Sequence, residues 1–212
     1  MTKNVNTLQM EKALNSPKIR DQARELYILE AAKAVFLRYG FRRVTMQDIA
    51  DQAGISRPAL YLHHSNKEEL FKAVITSVAA DNLRAVRAEV SSRTGAEPKL
   101  QQAFEVWAVQ PFQLMLSSPD ARDLVDCAHG FARETIAPFY LEFESILTSI
   151  LKPLVRKPIT SSGNLEPLTA AGIAHLLTLS AHAFKEASSN IVDLRSMIHS
   201  HIALTLAALR KP

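Results

Sequence analysis

The 212-residue chain holds one cysteine, Cys127, so no internal disulfide can form and no thiolate cage for zinc can be built. A stapled secreted scaffold and a zinc finger are both excluded. Six glycines in 212 residues fall well below the usual ~7%, leaving little material for tight hairpins or phosphate-cradling loops. No segment approaches the roughly 18 uninterrupted apolar residues of a membrane span. The opening MTKNVNTLQMEKALNSP also lacks the apolar stretch of a signal peptide. The expected location is therefore cytoplasmic, with no membrane partner. Alternating strand patterns, internal repeats and the G-x-S-x-G, H-E-x-x-H and Walker sequences are missing too. Asp123, Asp126 and Glu134 lie close in sequence, but acids on a solvated helix face are the ordinary explanation. The reading is of a chain that is not an enzyme and has no catalytic residues.

What is present is the composition of a folded protein, 47% hydrophobic and 22% charged. The charge is unevenly placed. Residues 1–72 carry 12 Lys+Arg against 8 Asp+Glu, whereas residues 73–212 carry 13 of each. All of the net +4 lies in the first third, which suits a module that meets a polyanion joined to a neutral one with another task.

Periodicity and breakers predict an all-α chain of about nine helices. Residues 1–17, polar and closed by Pro17, read as a flexible arm. A first helix runs from Arg20 to Tyr39, with Ala23, Leu26, Tyr27, Ala31, Ala34, Val35 and Leu37 or Phe36 near one face and Gly40 at its end. Thr45 and Asp48 form a capping signature for a helix over 46–53. Gly54 ends it, and Ser56 with Pro58 opens a helix over 57–63. Ser65 and Glu68 form a second box that opens a helix running to about 91. Further helices are expected near 98–116, 119–127, 130–152, 167–188 and 191–209, with Pro138 marking a kink or late start.

Two short helices joined through Ala53-Gly54-Ile55-Ser56 have the spacing of a helix-turn-helix, whose second helix enters the DNA major groove. The run TMQDIADQAGISRPALYLHHSNKEELF at 45–71, preceded by AAKAVFLRYGFRRV at 31–44, resembles the TetR family of bacterial transcriptional regulators. The resemblance covers about 20–71. It implies a helix-turn-helix DNA-binding domain at 18–66 and a helical ligand-binding and dimerisation domain at 67–212. Ile49, Ala50, Ala53, Ile55, Leu60, Leu70 and Phe71 fall at packing positions, and Gly54 supplies the turn.

Carried over by position, Thr45 and Ser56 contact backbone phosphates, and Arg57 and Pro58 lie at the base-reading end. Tyr61 and His63 approach phosphates or groove edges, and Lys67 meets a phosphate. Arg57 can take guanine O6 and N7 with two hydrogen bonds, or touch phosphate alone. Where the family has Tyr-Tyr-His-Phe, this chain has Tyr61-Leu62-His63-His64. Leu62 then replaces a polar contact by an apolar one, against a thymine methyl or the scaffold. His64 is either a partly buried, locally bonded histidine or a source of pH sensitivity.

Beyond about residue 90 the resemblance supplies architecture without chemistry. Phe104, Trp107, Met115, Phe131, Phe139, Phe143 and His175 are the candidates for lining an effector cavity. The small residues Ala170, Ala171, Gly172, Ala174, Ala181, Ala183 and Ala187, with the stripe Leu194, Ile198, Ile202, Thr205 and Leu209, are assigned to a homodimer seam in the last two helices. The spacings of His199 with His201 and of His175 with His182 do not favour a metal site, and no cofactor is expected. The function implied is that of a ligand-responsive regulator, a repressor that binds a palindromic double-stranded operator as a dimer and is released by a small molecule. The rival is a helical protein-interaction adaptor with weak DNA binding.

Overall fold

The computed structural model describes residues 17–118, 122–155 and 167–209, and its described residues are almost entirely helical. In chain order the helices are α1 (Pro17–Arg43), α2 (Met46–Gln52), α3 (Arg57–His63), α4 (Lys67–Ser91), α5 (Ala96–Phe104), α6 (Gln110–Leu116), α7 (Arg122–His129), α8 (Arg133–Leu151), α9 (Ala170–Ala187) and α10 (Ile191–Leu209). A π-helical turn, Glu105–Val109, joins α5 to α6 into one continuous run, which leaves nine rods among the described residues. The all-α expectation holds. The arm expected at 1–17 lies outside the described residues except for Pro17.

The chain divides into two compact units. The first takes in the chain up to Ser77 together with α7, and the second holds residues from Val78 to Ser118, 130–155 and 167–209. In the first unit α1 packs on α2 and α7, and α2 packs on α3. Its core is Ile28, Ala32, Val35 and Phe36 of α1 with Val44, Ile49, Ala50, Leu60, Leu70 and Phe71. Phe36, Phe41 and Phe71 form an aromatic triangle with ring centroids 5.0–5.8 Å apart. Ala31, Val35 and Phe36 of the expected face are buried but Ala23, Leu26, Tyr27 and Ala34 are exposed, so the face that α1 turns inward is only partly the one its periodicity suggested. The reason is that α1 carries apolar residues on two overlapping stripes, and Ile28 and Ala32, both fully buried, lie on the inward one.

Gly40 (φ 75°) takes the left-handed backbone that ends the regular part of α1. The Thr45–Asp48 box is formed in both directions, and Ser56 Oγ accepts from Ala59 N at 3.3 Å. At α4 the cap is Asn66 rather than Ser65. Its Oδ1 accepts from Glu69 N at 2.9 Å, one register later than the S-x-x-E pattern indicated.

The second unit is built on α5, the π turn, α8, α9 and α10. Leu100, Phe104, Trp107, Phe143, Leu147, Leu151, Ile173, Leu177, Leu194, Ile198 and Ile202 fill its centre. The π turn sits just before Pro111, which has no N–H to give to the carbonyl four residues back and whose ring crowds it. Widening the turn, with Gln110 N donating to Glu105 O, accommodates that residue. Pro138 lies inside α8 without ending it. Arg195 of α10 closes on Glu105 as a two-pronged pair, Nε–Oε2 at 2.9 Å and Nη2–Oε1 at 2.7 Å.

Candidate nucleic-acid interface

The turn between α2 and α3 is fixed by its backbone. Gly54 has φ 59°, Gly54 N donates to Asp51 O at 3.1 Å and Ile55 N donates to Ala50 O at 3.0 Å. These bonds satisfy the last carbonyls of α2 while the chain reverses. Leu60 alone among α3 residues is buried, so Arg57, Pro58, Tyr61 and Leu62 are left exposed. Arg57 Nη2 donates to the Tyr61 hydroxyl at 3.3 Å, and its guanidinium carbon lies 5.4 Å from the centre of that ring. The pair holds the guanidinium over an aromatic face and leaves its other N–H groups available.

Thr45 uses both functions of its hydroxyl on Asp48, donating to Oδ2 at 2.7 Å and accepting from the amide at 3.2 Å. The hydroxyl's donation, joined by Thr45 N donating to the same Oδ2 at 2.8 Å, holds the Asp48 carboxyl below its ordinary pKa. Ser56 accepts from Ala59 and keeps its own proton for an acceptor. Lys67 points its ammonium at two carbonyls, Phe41 O and Val44 O, each at 2.7 Å, with Nζ 4.4 Å from the centre of the Phe41 ring. Two of its three protons are taken by those carbonyls. Lys67 thus ties the end of α1, where Arg42 and Arg43 are exposed, to the start of α4.

Two acidic residues complete this arrangement. Glu25 of α1 reaches both histidines at the end of the recognition helix, with Oε1 2.9 Å from His64 Nε2 and Oε2 3.3 Å from His63 Nδ1. His64 is buried and caps α3 through His64 N to Leu60 O at 3.0 Å, while its Nε2 lies near Glu25 without forming a hydrogen bond. Asp123 of α7 accepts from Phe41 N at 3.0 Å and from Arg42 N at 2.8 Å. Sequence reasoning had placed Asp123 on a solvated face. Its partners lie more than 80 positions away, and no local pattern could have shown them.

The residues named for an effector cavity part company in the second unit. Phe104, Trp107 and Phe143 come together, with Trp107 stacked on Phe143 at 4.9 Å and Phe104 edge-on to it at 5.3 Å. Phe139 packs against that cluster. Met115 and Phe131 (38% exposed) are outside the buried core, and exposed His175 meets Glu144 Oε1 at 2.9 Å through Nδ1. Phe104 of α5, Leu177, Ala181 and Phe184 of α9, and Ile198, His201 and Ile202 of α10 border a narrow gap that admits no water-sized molecule.

The stripe Leu194, Ile198 and Ile202 is buried against its own chain, so it serves the core and not a seam between copies. α10 is apolar on more than one face, and periodicity alone does not say which face turns inward. No group of three or more potential metal ligands occurs among the described residues, and no described helix is long and apolar enough to cross a membrane.

A capped helix-turn-helix with its polar residues facing outward, carried by the basic part of the chain, gives the first unit the form of a DNA-binding module. Residues 28–74 match the profile of bacterial regulatory proteins, tetR family. The HTH-type transcriptional regulator YfiR of Bacillus subtilis is 33% identical over 140 residues, covering 63% of this chain and 57% of that relative. The chain thus matches little more than half of that relative's length. A solved transcriptional regulator from Cytophaga hutchinsonii superposes with a TM-score of 0.68 at 18% identity, over 85% of this chain and 95% of that one. FadR of Bacillus subtilis, solved in complex with stearoyl-CoA, gives a TM-score of 0.53 at 18% identity, over 84% and 96%. The tetR-family match is thus shown for residues 28–74, within the first unit.

Proposed function

We propose that this protein is a DNA-binding transcriptional regulator, a repressor that grips a palindromic operator as a homodimer and lets go when a small molecule binds its second unit. The observation that carries the reading is the recognition helix α3. Its one buried residue is Leu60, and it turns Arg57, Tyr61 and their neighbours outward from a basic module. Arg57 is assigned to base reading and Ser56, Tyr61, His63 and Lys67 to phosphate or groove contacts, with Thr45 holding α2 in register. In such a dimer the two copies of α3 sit about 34–36 Å apart to reach successive major grooves.

The dimer reading is supported by an outward face on the last two helices made of Leu176, Leu179 and Ala183 on α9 and Met197, Ser200, Ala203, Leu204 and Ala207 on α10. Leu204 is 72% exposed in the single chain, and small residues beside it permit close helix approach. An effector is supported by the fold, which in FadR accommodates stearoyl-CoA. The aromatic cluster around Trp107 offers an apolar molecule flat surfaces once it opens. Release requires that the effector bind the DNA-free conformation more tightly than the bound one.

The test is selection of bound duplexes from a random pool by the full-length protein, repeated with Arg57→Ala. A palindrome is expected, with the variant relaxed at one symmetric pair of positions and weakened about 10-fold or more per half-site. Retention that yields no palindrome and does not change with salt overturns the reading in favour of a protein-binding adaptor.

A further inference from the structure

Leu62 is 88% exposed, more than any other large hydrophobic side chain among the described residues. It stands on the helix assigned above to the major groove. With about 100° between successive residues, and Leu60 marking the buried direction, Pro58 and Leu62 both point roughly 160° away from the core. They share one edge of α3, four residues apart. Arg57 and Tyr61 flank that edge on one side, joined to each other. The part of the recognition helix that reaches furthest outward is therefore an apolar ridge, bordered by a guanidinium and a phenol.

The scaffold does not account for Leu62. It has no place in the first unit's core, which α3 supplies through Leu60 alone. A major groove offers an apolar ridge one apolar partner, the C5-methyl group of a pyrimidine, which in unmodified DNA is thymine. The surroundings also favour DNA over another protein, because the ridge is bordered by Arg57 and belongs to the segment that holds all of the chain's net positive charge.

Resting on the operator reading above, we propose that Leu62, supported by Pro58, is a specificity-determining residue that reads a thymine methyl in each half-site. The ridge favours A·T pairs at that position and contributes by burying the methyl against the leucine side chain, with no hydrogen bond to the base. Arg57 beside it reads or steers a neighbouring position.

The experiment uses the full-length protein and the palindrome it selects from an unmodified pool. Each thymine of both half-sites is replaced in turn by deoxyuridine, which removes only the methyl, and binding is followed by fluorescence anisotropy at one fixed salt concentration. At one symmetric pair of positions, uracil is expected to weaken the wild-type protein about fourfold per half-site, from the burial of one methyl group. Leu62→Ala binds the thymine and uracil duplexes equally, and Leu62→Met, which keeps the apolar reach, retains most of the difference. Because Leu62 is exposed, Leu62→Ala keeps the wild-type melting temperature, and circular dichroism verifies that.

The proposal is overturned if a palindrome is selected but uracil affects wild type and Leu62→Ala alike at every position. It is equally overturned if the selected half-site contains no thymine. If no palindrome is selected at all, the operator reading falls and takes this one with it.

Discussion

The two units of this chain are held together by different means. In the first, short helices are pinned by directed contacts: the Thr45–Asp48 box, the Ser56 and Asn66 caps, Lys67 on two carbonyls, Glu25 on two histidines and Asp123 on two amides. In the second, long helices pack aromatic and aliphatic side chains with few polar anchors, of which Arg195 with Glu105 is the best formed. A reading head must hold a few outward side chains in fixed positions, and hydrogen bonds specify direction. The second unit, to which the proposed function gives an effector, would need adjustable packing for that role, and apolar contact is nondirectional.

The comparison can be broken most forcefully in the second unit. Phe143→Ala removes a fully buried ring that touches both Phe104 and Trp107, and is expected to lower stability by about 3–5 kcal/mol in urea unfolding. A loss under 1 kcal/mol would show that this core is already loosely filled.

In the first unit the matching change is Lys67→Met, which keeps the apolar stem and deletes two charge-assisted hydrogen bonds. The expected loss is about 2–3 kcal/mol. Its signature is faster amide hydrogen exchange confined to 41–45, where Phe143→Ala spreads its effect through a core.

The smallest effect sharpens the contrast by its sign. Burial lowers the pKa of Lys185 on α9 from 10.5 to about 8, so an apolar substitute is expected to stabilise the protein. Between pH 8 and 10.5 the unfolded chain binds the proton that the folded chain has released, so this group's contribution to stability rises with pH over that window. Lys185→Met is therefore expected to be more stable than wild type at pH 7, and its advantage fades above pH 10, read from melting curves across pH.

How much of this was legible in the sequence follows the same division. The helix-turn-helix was readable because its signals are local: a cap, a left-handed glycine, a proline in a first turn and one buried leucine lie within twenty residues of one another. The Asn66 cap missed by one position because serine and asparagine compete for the same role and only backbone geometry decides between them. Glu25 and Asp123 were invisible as partners, since nothing in their neighbourhoods points to residues forty or eighty positions away. In the second unit, element positions were legible but facing was not. Leu194, Ile198 and Ile202 looked like a seam between copies and are core, because a helix apolar on several sides gives no phase. The π turn before Pro111 escaped notice since the sequence around it reads as uninterrupted helix.

One consequence concerns the order in which the protein is made. The amides of Phe41 and Arg42 are received by a carboxylate 82 and 81 residues further along the chain. At about 5–20 residues per second, synthesis leaves those two amides without Asp123 for roughly 4–16 seconds. The recognition module therefore cannot be completed as it emerges. A nascent chain that stalls before α7, or a fragment cut after residue 77, carries every residue of the helix-turn-helix and still lacks the anchor that fixes the loop in front of it.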